Sequence, residues 1–153
     1  TGLYNRATFR ELVENALSSA RADSVGAFIE FDLDNFKQVN DTYGHLAGDE
    51  LLRDVGRAVS SCCRREDIIG RLGGDEFAIW ISDVGSGENA LAKARRVAEV
   101  LRKVREGVSA SFGVVTVSGQ STFRELFRKA DLAMYAAKRQ GKNECSLYQE
   151  DPS

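Results

Sequence analysis

Two short blocks concentrate carboxylates where apolar runs begin or end. In "FIEFDLDNF" Asp32 and Asp34 close an apolar run, and in "RLGGDEFAIW" Asp75 and Glu76 follow Gly73 and Gly74 and precede Phe77 to Trp80. If the strands that carry them are neighbours in a sheet, both acid pairs converge on one edge. Hard oxygen ligands grouped in that way suit Mg²⁺, which takes one or two carboxylates and leaves its other positions to water and substrate phosphates. Acids also favour turns and strand ends, which accounts for either pair alone better than for both pairs beside glycines. The glycines suit a tight hairpin turn and equally let backbone pass close to a ligand.

Hydropathy periodicity outlines the scaffold that has to position these acids. Residues 7–21 place Phe9, Leu12, Val13, Ala16 and Leu17 at helical spacing, and "VGAFIEFDLD" reads as a buried strand ending in acids. After a loop, Leu51, Leu52, Val55, Ala58, Val59 and Cys62 form the stripe of a second helix, and "DIIGRLGGDEFAIWI" is two short strands around a glycine turn. "SGENA" opens a third helix with a stripe from Leu91 to Val104, and "VSASFGVVTV" is another strand. "STFRELFRKADLAMYAAKRQ" is a helix with Phe123, Leu126, Ala130 and Ala137 on one face, capped by Ser121 or Thr122 with Glu125 as capping-box partner. "CSLYQ" adds a last strand. In the order α-β-α-β-β-α-β-α-β a hairpin interrupts the βαβ series, which predicts an α/β (α+β) fold with a central mixed, mainly antiparallel sheet flanked by helices.

Composition sets the outer bounds. With 153 residues, 42% of them hydrophobic, the chain can bury one sizeable core, and no linker divides it, so residues 1–153 read as a single domain. A net charge of −2 offers no basic surface for non-specific nucleic-acid binding, and no apolar run approaches the ~18 residues of a membrane span. The cysteines Cys62, Cys63 and Cys145 fit neither a disulfide framework nor a zinc site, which points to a reducing, cytoplasmic setting without membrane contact by this domain. A P-loop signature is absent, so a P-loop GTPase is not supported. The chain opens at Thr1-Gly2 without a methionine and reads as excised from a longer protein that carries an N-terminal sensory or dimerisation region, with a membrane tether of the full-length protein left open.

At this point the blocks become specific. "TGLYNR" at 1–6, "FDLDNFKQVNDTYGHLAGDELL" at 31–52, "RLGGDEF" at 71–77, "SASFGV" at 109–114 and "ADLAMYAAKRQGKN" at 130–143 resemble, in order, the blocks of the GGDEF domain, the diguanylate cyclase family. The resemblance covers essentially the whole chain. It implies a palm-like nucleotidyl cyclase fold that condenses two GTP into cyclic di-GMP and releases two pyrophosphates. It also implies two Mg²⁺ ions per active site, or Mn²⁺ in their place, and a homodimer, because one domain binds one GTP and the product joins two.

By that resemblance Asp32, Asp75 and Glu76 with the Leu33 carbonyl hold the metal, and Asp75 or Glu76 assists removal of the hydroxyl proton. Asp34 serves either as a further ligand or as cap of the short helix that follows. Asn40 and Asp49 read guanine, since a carboxylate that accepts from N1–H and N2–H₂ rejects adenine; an Asx turn and a first-turn acid are their plainer roles. Gly73 and Gly74 clear room for the nucleotide. The backbone amides of Asn35 and Phe36 and the ammonium groups of Lys37, Lys138 and Lys142 meet its phosphates, although "GKN" replaces the family's commoner "GRN" and loses a bidentate fork. Arg64-x-x-Asp67 matches the family's inhibitory product site, for which Arg95, Arg96 and Arg102 are candidate completing arginines; a surface ion pair is the alternative. His45, the sole histidine, reads as structural. Two functions from different classes remain, a diguanylate cyclase with product feedback and a catalytically silent receptor for GTP or cyclic di-GMP.

Overall fold

The computed structural model describes residues 3–105 and 107–149, so Thr1 and Gly2 of the first block lie outside the described residues. Its elements are α1 (Arg6–Ser19), β1 (Gly26–Leu33), α2 (Phe36–Tyr43), α3 (His45–Cys62), β2 (Ile68–Gly73), β3 (Glu76–Ile81), α4 (Gly87–Arg102), β4 (Ala110–Val117), α5 (Phe123–Arg139) and β5 (Cys145–Leu147). The strands form one sheet in the order β2-β3-β1-β4-β5, antiparallel throughout except for the parallel pair β4–β5. The expected mixed, mainly antiparallel sheet with a hairpin is therefore the fold.

Strand alternation gives the two faces of this sheet different partners. Ala27, Ile29, Phe31 and Leu33 of β1 join Phe77, Ile79, Phe112 and Val114 under α3 and α4, and every one of these is buried. On the reverse face Phe28, Ala78, Trp80 and Val115 pack under α1 and α5, where the rings of Phe9, Phe28 and Phe123 stand 5.7–6.0 Å apart. Helix α5 approaches so closely that a Cβ on Gly113 would lie 2.1 Å from the Ala130 carbonyl oxygen and 2.5 Å from the Met134 nitrogen. Only glycine permits that contact, and it brings the polar residues of α5 down onto β1 and β4.

Three local expectations change. The second helix starts at His45, well before Leu51, and is preceded by the separate helix α2. Thr122 caps α5 by accepting the Glu125 amide at 3.1 Å, but Glu125 turns its carboxylate to Arg128 at 2.7 Å, so the capping box is half-formed. The cap position of α2 is Asn35, not Asp34, and no side chain bonds into that helix start. Among the described residues, no helix is long and apolar enough to cross a membrane.

Candidate active site

Asp32 and Glu76 are direct cross-strand partners on β1 and β3, so the sheet register alone joins the two acid blocks. Glu30, Asp32 and Asp34 follow at i, i+2 and i+4 and share the face beneath α5. At the rim, the Lys138 ammonium donates to Asp32 Oδ2 at 2.6 Å. Asp32 Oδ1 is buried and has no partner.

Burial pushes the Asp32 carboxyl above its usual range; Lys138 opposes this, while Asp75 and Asp34 reinforce it. Burial likewise raises Asp75, against the pull of its own backbone amide and Lys138. For Lys138 burial works the other way, yet its bond to Asp32 and the attraction of Asp75 and Asp34 leave the ammonium more firmly protonated than usual. Asp32, Asp75 and Lys138 thus form one electrostatic unit. An orphaned carboxylate oxygen on Asp32, beside a second acid and paired only to a displaceable ammonium, fits an Mg²⁺ site of the expected kind.

Glu76 belongs to a different group. One carboxylate oxygen each from Glu30, Glu76 and Asp131 lies within 4.8 Å of the others. Glu30 is fully buried and both its oxygens lack a hydrogen-bond donor. Its pKa is pushed up to about 11, first by burial and then by the Glu76 and Asp131 carboxyls, so in the absence of a cation Glu30 holds a proton that it can share with them. Neither Glu30 nor Asp131 stood out among the sequence candidates. The signals existed: Glu30 is two residues before Asp32 on a strand, and Asp131 is seven before Lys138 on a helix, which is two turns along the same face.

Asp34 does not cap α2 and is instead held by bonds of its own. It is buried and accepts from Ser109 Oγ and Ser111 Oγ, both at 2.7 Å, and from the Asn143 amide at 2.9 Å. This lashes the end of β1 to β4 and to the turn after α5, where Lys142 and Asn143 adopt φ of 66° and 51°. Lys142 in turn donates to the Asn35 side-chain oxygen at 3.0 Å. Lys138, Lys142 and Asn35 are thereby gathered at the mouth of the acid edge, while Lys37 lies exposed on α2 beside the half-buried Phe36. Leu33 completes β1 between the two aspartates.

Gly74 has φ of 48°, a conformation that favours glycine, and a Cβ on either Gly73 or Gly74 would meet nothing within 4 Å. The turn is present, and open space lies beside both glycines. Arg71 supports the turn by donating to the Gly74 carbonyl at 2.8 Å. Asn40 of α2 rests on Gly48 of α3, the residue before the exposed Asp49; a Cβ on Gly48 would sit 1.8 Å from Asn40 Oδ1. His45 is exposed at the start of α3.

The Arg64–Asp67 loop is not part of this edge. It precedes β2, and the signature turn follows it, which separates them by roughly 20 Å along the strand at about 3.3 Å per residue. Arg64 and Asp67 do not form a side-chain ion pair; the Asp67 carboxylate accepts the Arg64 backbone amide at 2.8 Å and lies 3.9 Å from Lys93 Nζ. Lys93 also donates to the Cys62 carbonyl. With Ile81, Asp83, Val84 and Asn89 these residues line a cavity of about 200 Å³. The cation that α4 delivers is Lys93, whereas Arg102 turns away to Asn143 Oδ1 at 3.2 Å.

A mainly antiparallel sheet between two helical layers, with carboxylates and lysines gathered at one edge, is an α/β domain with an acidic site at the end of its central strands. The model of the family "Diguanylate cyclase, GGDEF domain" matches residues 1–144, and the chain belongs to that family. The active GGEEF domain of a diguanylate cyclase from Vibrio cholerae superposes with a TM-score of 0.88 at 29% identity, over 97% of this chain and 99% of that one. The GGDEF domain of TpbB (YfiN) from Pseudomonas aeruginosa gives 0.84 at 32% identity, over 96% and 91%. Among curated relatives, the probable diguanylate cyclase DgcC of Escherichia coli is 37% identical over 94% of this chain. The cyclic di-GMP phosphodiesterase PdeR of Escherichia coli is 40% identical over 97%. The chain spans 40% of the length of the first protein and 23% of the second.

Proposed function

We propose that this domain is a diguanylate cyclase that joins two GTP into cyclic di-GMP. The observation that carries the reading is the Asp32–Asp75–Lys138 unit at the sheet edge, with Asp32 Oδ1 buried and unpartnered. Asp32 and Asp75 with the Leu33 carbonyl hold Mg²⁺, which when bound neutralises phosphate charge and eases ionisation of the 3′-hydroxyl. Lys138, released from Asp32, pairs with a phosphate oxygen, and Lys142 with the Asn35 and Phe36 amides receives the rest of the triphosphate. Asp49 accepts from guanine N1–H and N2–H₂, and Asn40 completes the base edge.

The three-carboxyl cluster favours Asp75 over Glu76 as the acid at the reacting hydroxyl. Glu76 is drawn under α5 toward Glu30 and Asp131, which leaves half-exposed Asp75 to face the hydroxyl. Its raised pKa brings it nearer to a proton acceptor matched to neutral pH. Two such half-sites meet face to face across a two-fold axis, supplied by a homodimer and by regions of the longer protein outside this chain. The Arg64, Asp67 and Lys93 cavity is the site of product feedback, with Lys93 in the place expected of an arginine.

Incubation of the domain with GTP and Mg²⁺ over a range of protein concentrations, followed by chromatography, tests this reading. The expected product is cyclic di-GMP, at a rate per domain that rises with concentration. Asp75→Asn is expected to lower it by at least about 10³-fold, the scale of a few kcal/mol of lost charge stabilisation. Absence of product from an enforced dimer defeats the cyclase reading, and an active Asp75→Asn removes Asp75 from the site. The likeness to PdeR, a phosphodiesterase that carries a stretch similar to this chain, favours a second reading, a catalytically silent module that binds GTP or cyclic di-GMP; tight binding of either without turnover is its signature.

A further inference from the structure

We propose that Glu30, Glu76 and Asp131 form a second divalent-cation site, separate from the Asp32–Asp75 edge, which takes a hard ion such as Mn²⁺ or Mg²⁺ without nucleotide. Three carboxylate oxygens from β1, β3 and α5 lie within 4.8 Å of one another, close enough for small side-chain shifts to bring all three onto one ion. Glu30 contributes one of these oxygens, its side chain is wholly buried, and neither of its oxygens has a hydrogen-bond donor. Three carboxylates so close repel unless a proton or a cation is held between them.

No neighbouring ammonium or guanidinium serves that purpose from the adjoining pocket. Of its basic residues, Lys138 is bound to Asp32 and Arg128 to Glu125. Exposure is graded, from fully buried Glu30 through half-buried Glu76 to exposed Asp131, so an ion reaches the cluster from solvent by way of Asp131. The pocket beside Asp131, about 390 Å³ and lined by Arg128, Leu132, Met134, Tyr135 and Lys138, leaves room for the waters that complete six-fold coordination. All-oxygen donors suit hard ions such as Mg²⁺ and Mn²⁺.

The three ligands also sit on the elements that carry Asp32, Asp75 and Lys138. An ion held among them braces β1, β3 and α5 against one another, and its place is fixed before substrate arrives.

The test is titration of Mn²⁺ alone into the nucleotide-free domain, with free Mn²⁺ counted by its EPR signal and thermal unfolding followed in parallel. Wild type and Asp75→Asn are expected to share a Mn²⁺ site that raises the unfolding temperature. Glu30→Gln, which keeps the side chain's size, and Asp131→Asn, which changes an exposed position, are each expected to weaken that site at least tenfold and to flatten the thermal response. Should Glu30→Gln fail to fold, Asp131→Asn alone supplies the comparison. Absence of Mn²⁺ binding by wild type, unchanged affinity in Asp131→Asn, or complete loss in Asp75→Asn overturns the proposal. None of these readouts requires turnover, so the outcome is separate from that of the cyclase assay.

Discussion

The two faces of one sheet are built from the same strands and are put to opposite uses. Under α3 and α4, β1 contributes Ala27, Ile29, Phe31 and Leu33, and the face is apolar from end to end. Under α1 and α5 the same strand contributes Phe28 and then, in alternation, Glu30, Asp32 and the following Asp34. That second face is aromatic at one end and carboxylate at the other. A strand buried on both sides can therefore be apolar on one face and carry a row of carboxylates on the other, because alternation keeps the two sets of side chains apart. The polar half is held by specific bonds: Lys138 on Asp32, and two serines and an amide on Asp34. Glu30 alone receives no such compensation.

Substitutions on the two faces should then change stability in opposite directions. Phe31 stacks between Phe77 at 5.2 Å and Phe112 at 4.7 Å with no exposure, and Phe31→Ala is expected to cost about 3–5 kcal/mol in urea unfolding. A cost below about 1 kcal/mol would break the contrast, since that is the range of tolerated swaps rather than of a core cavity. Glu30→Gln should do the reverse in EDTA. The folded-state pKa of Glu30, about 11, lies above its ordinary 4.5. Between these values the folded chain keeps a proton that the unfolded chain gives up, so stability is fullest below pH 4.5 and is lost as pH rises toward 11. By pH 7 the loss is on the order of 3 kcal/mol. The stability of Glu30→Gln relative to wild type should accordingly grow from pH 5 to pH 8 in thermal unfolding. A difference that stays constant with pH would mean that Glu30 is not the strained group on this face.

Sequence reading recovered the sheet and the acid edge because both rest on strong local signals. The run from Phe77 to Trp80 and the glycine turn identify β3 and its hairpin, and the position of Asp32 at a strand end places it opposite Glu76 once the strands pair. Helix starts were less visible. The first turn of α3 buries little, with Leu46 84% exposed, so the apolar stripe announces the helix only from Leu51. Helix α2 contains no fully buried residue and gives periodicity nothing to detect. The cap expected at Asp34 failed for a different reason: its partners Ser109, Ser111 and Asn143 are 75 to 109 residues away, and a local rule sees only the helix that follows. Glu30 was hidden by the apolar run around it, where a single acid reads as an interruption rather than as the inner member of a row.

The smallest expected effect tests whether function is confined to the polar face. Asn40 and Asp49, the proposed guanine readers, belong to α2 and α3, and α3 is a helix that covers the apolar face. Nucleotide recognition would thus straddle both layers, with the base held by one and the phosphates by the other. Gly48 is where this can be probed without substituting a reader. A Cβ there would meet Asn40 Oδ1 at 1.8 Å and Cγ at 2.9 Å, and Phe36 Cζ at 3.3 Å. The first two belong to the free end of a side chain, so Asn40 rotates away, while alanine in place of glycine favours the helix by up to about 1 kcal/mol. Gly48→Ala is therefore expected to leave the unfolding temperature nearly unchanged and to raise the KM for GTP about tenfold, or ~1.4 kcal/mol, with a smaller change in kcat. In an Asn40→Ala background the same substitution should add nothing further, because the amide it displaces is already gone. An additive rise would show that Gly48 acts through the backbone of α3, and the base would then be read without Asn40 being seated on it.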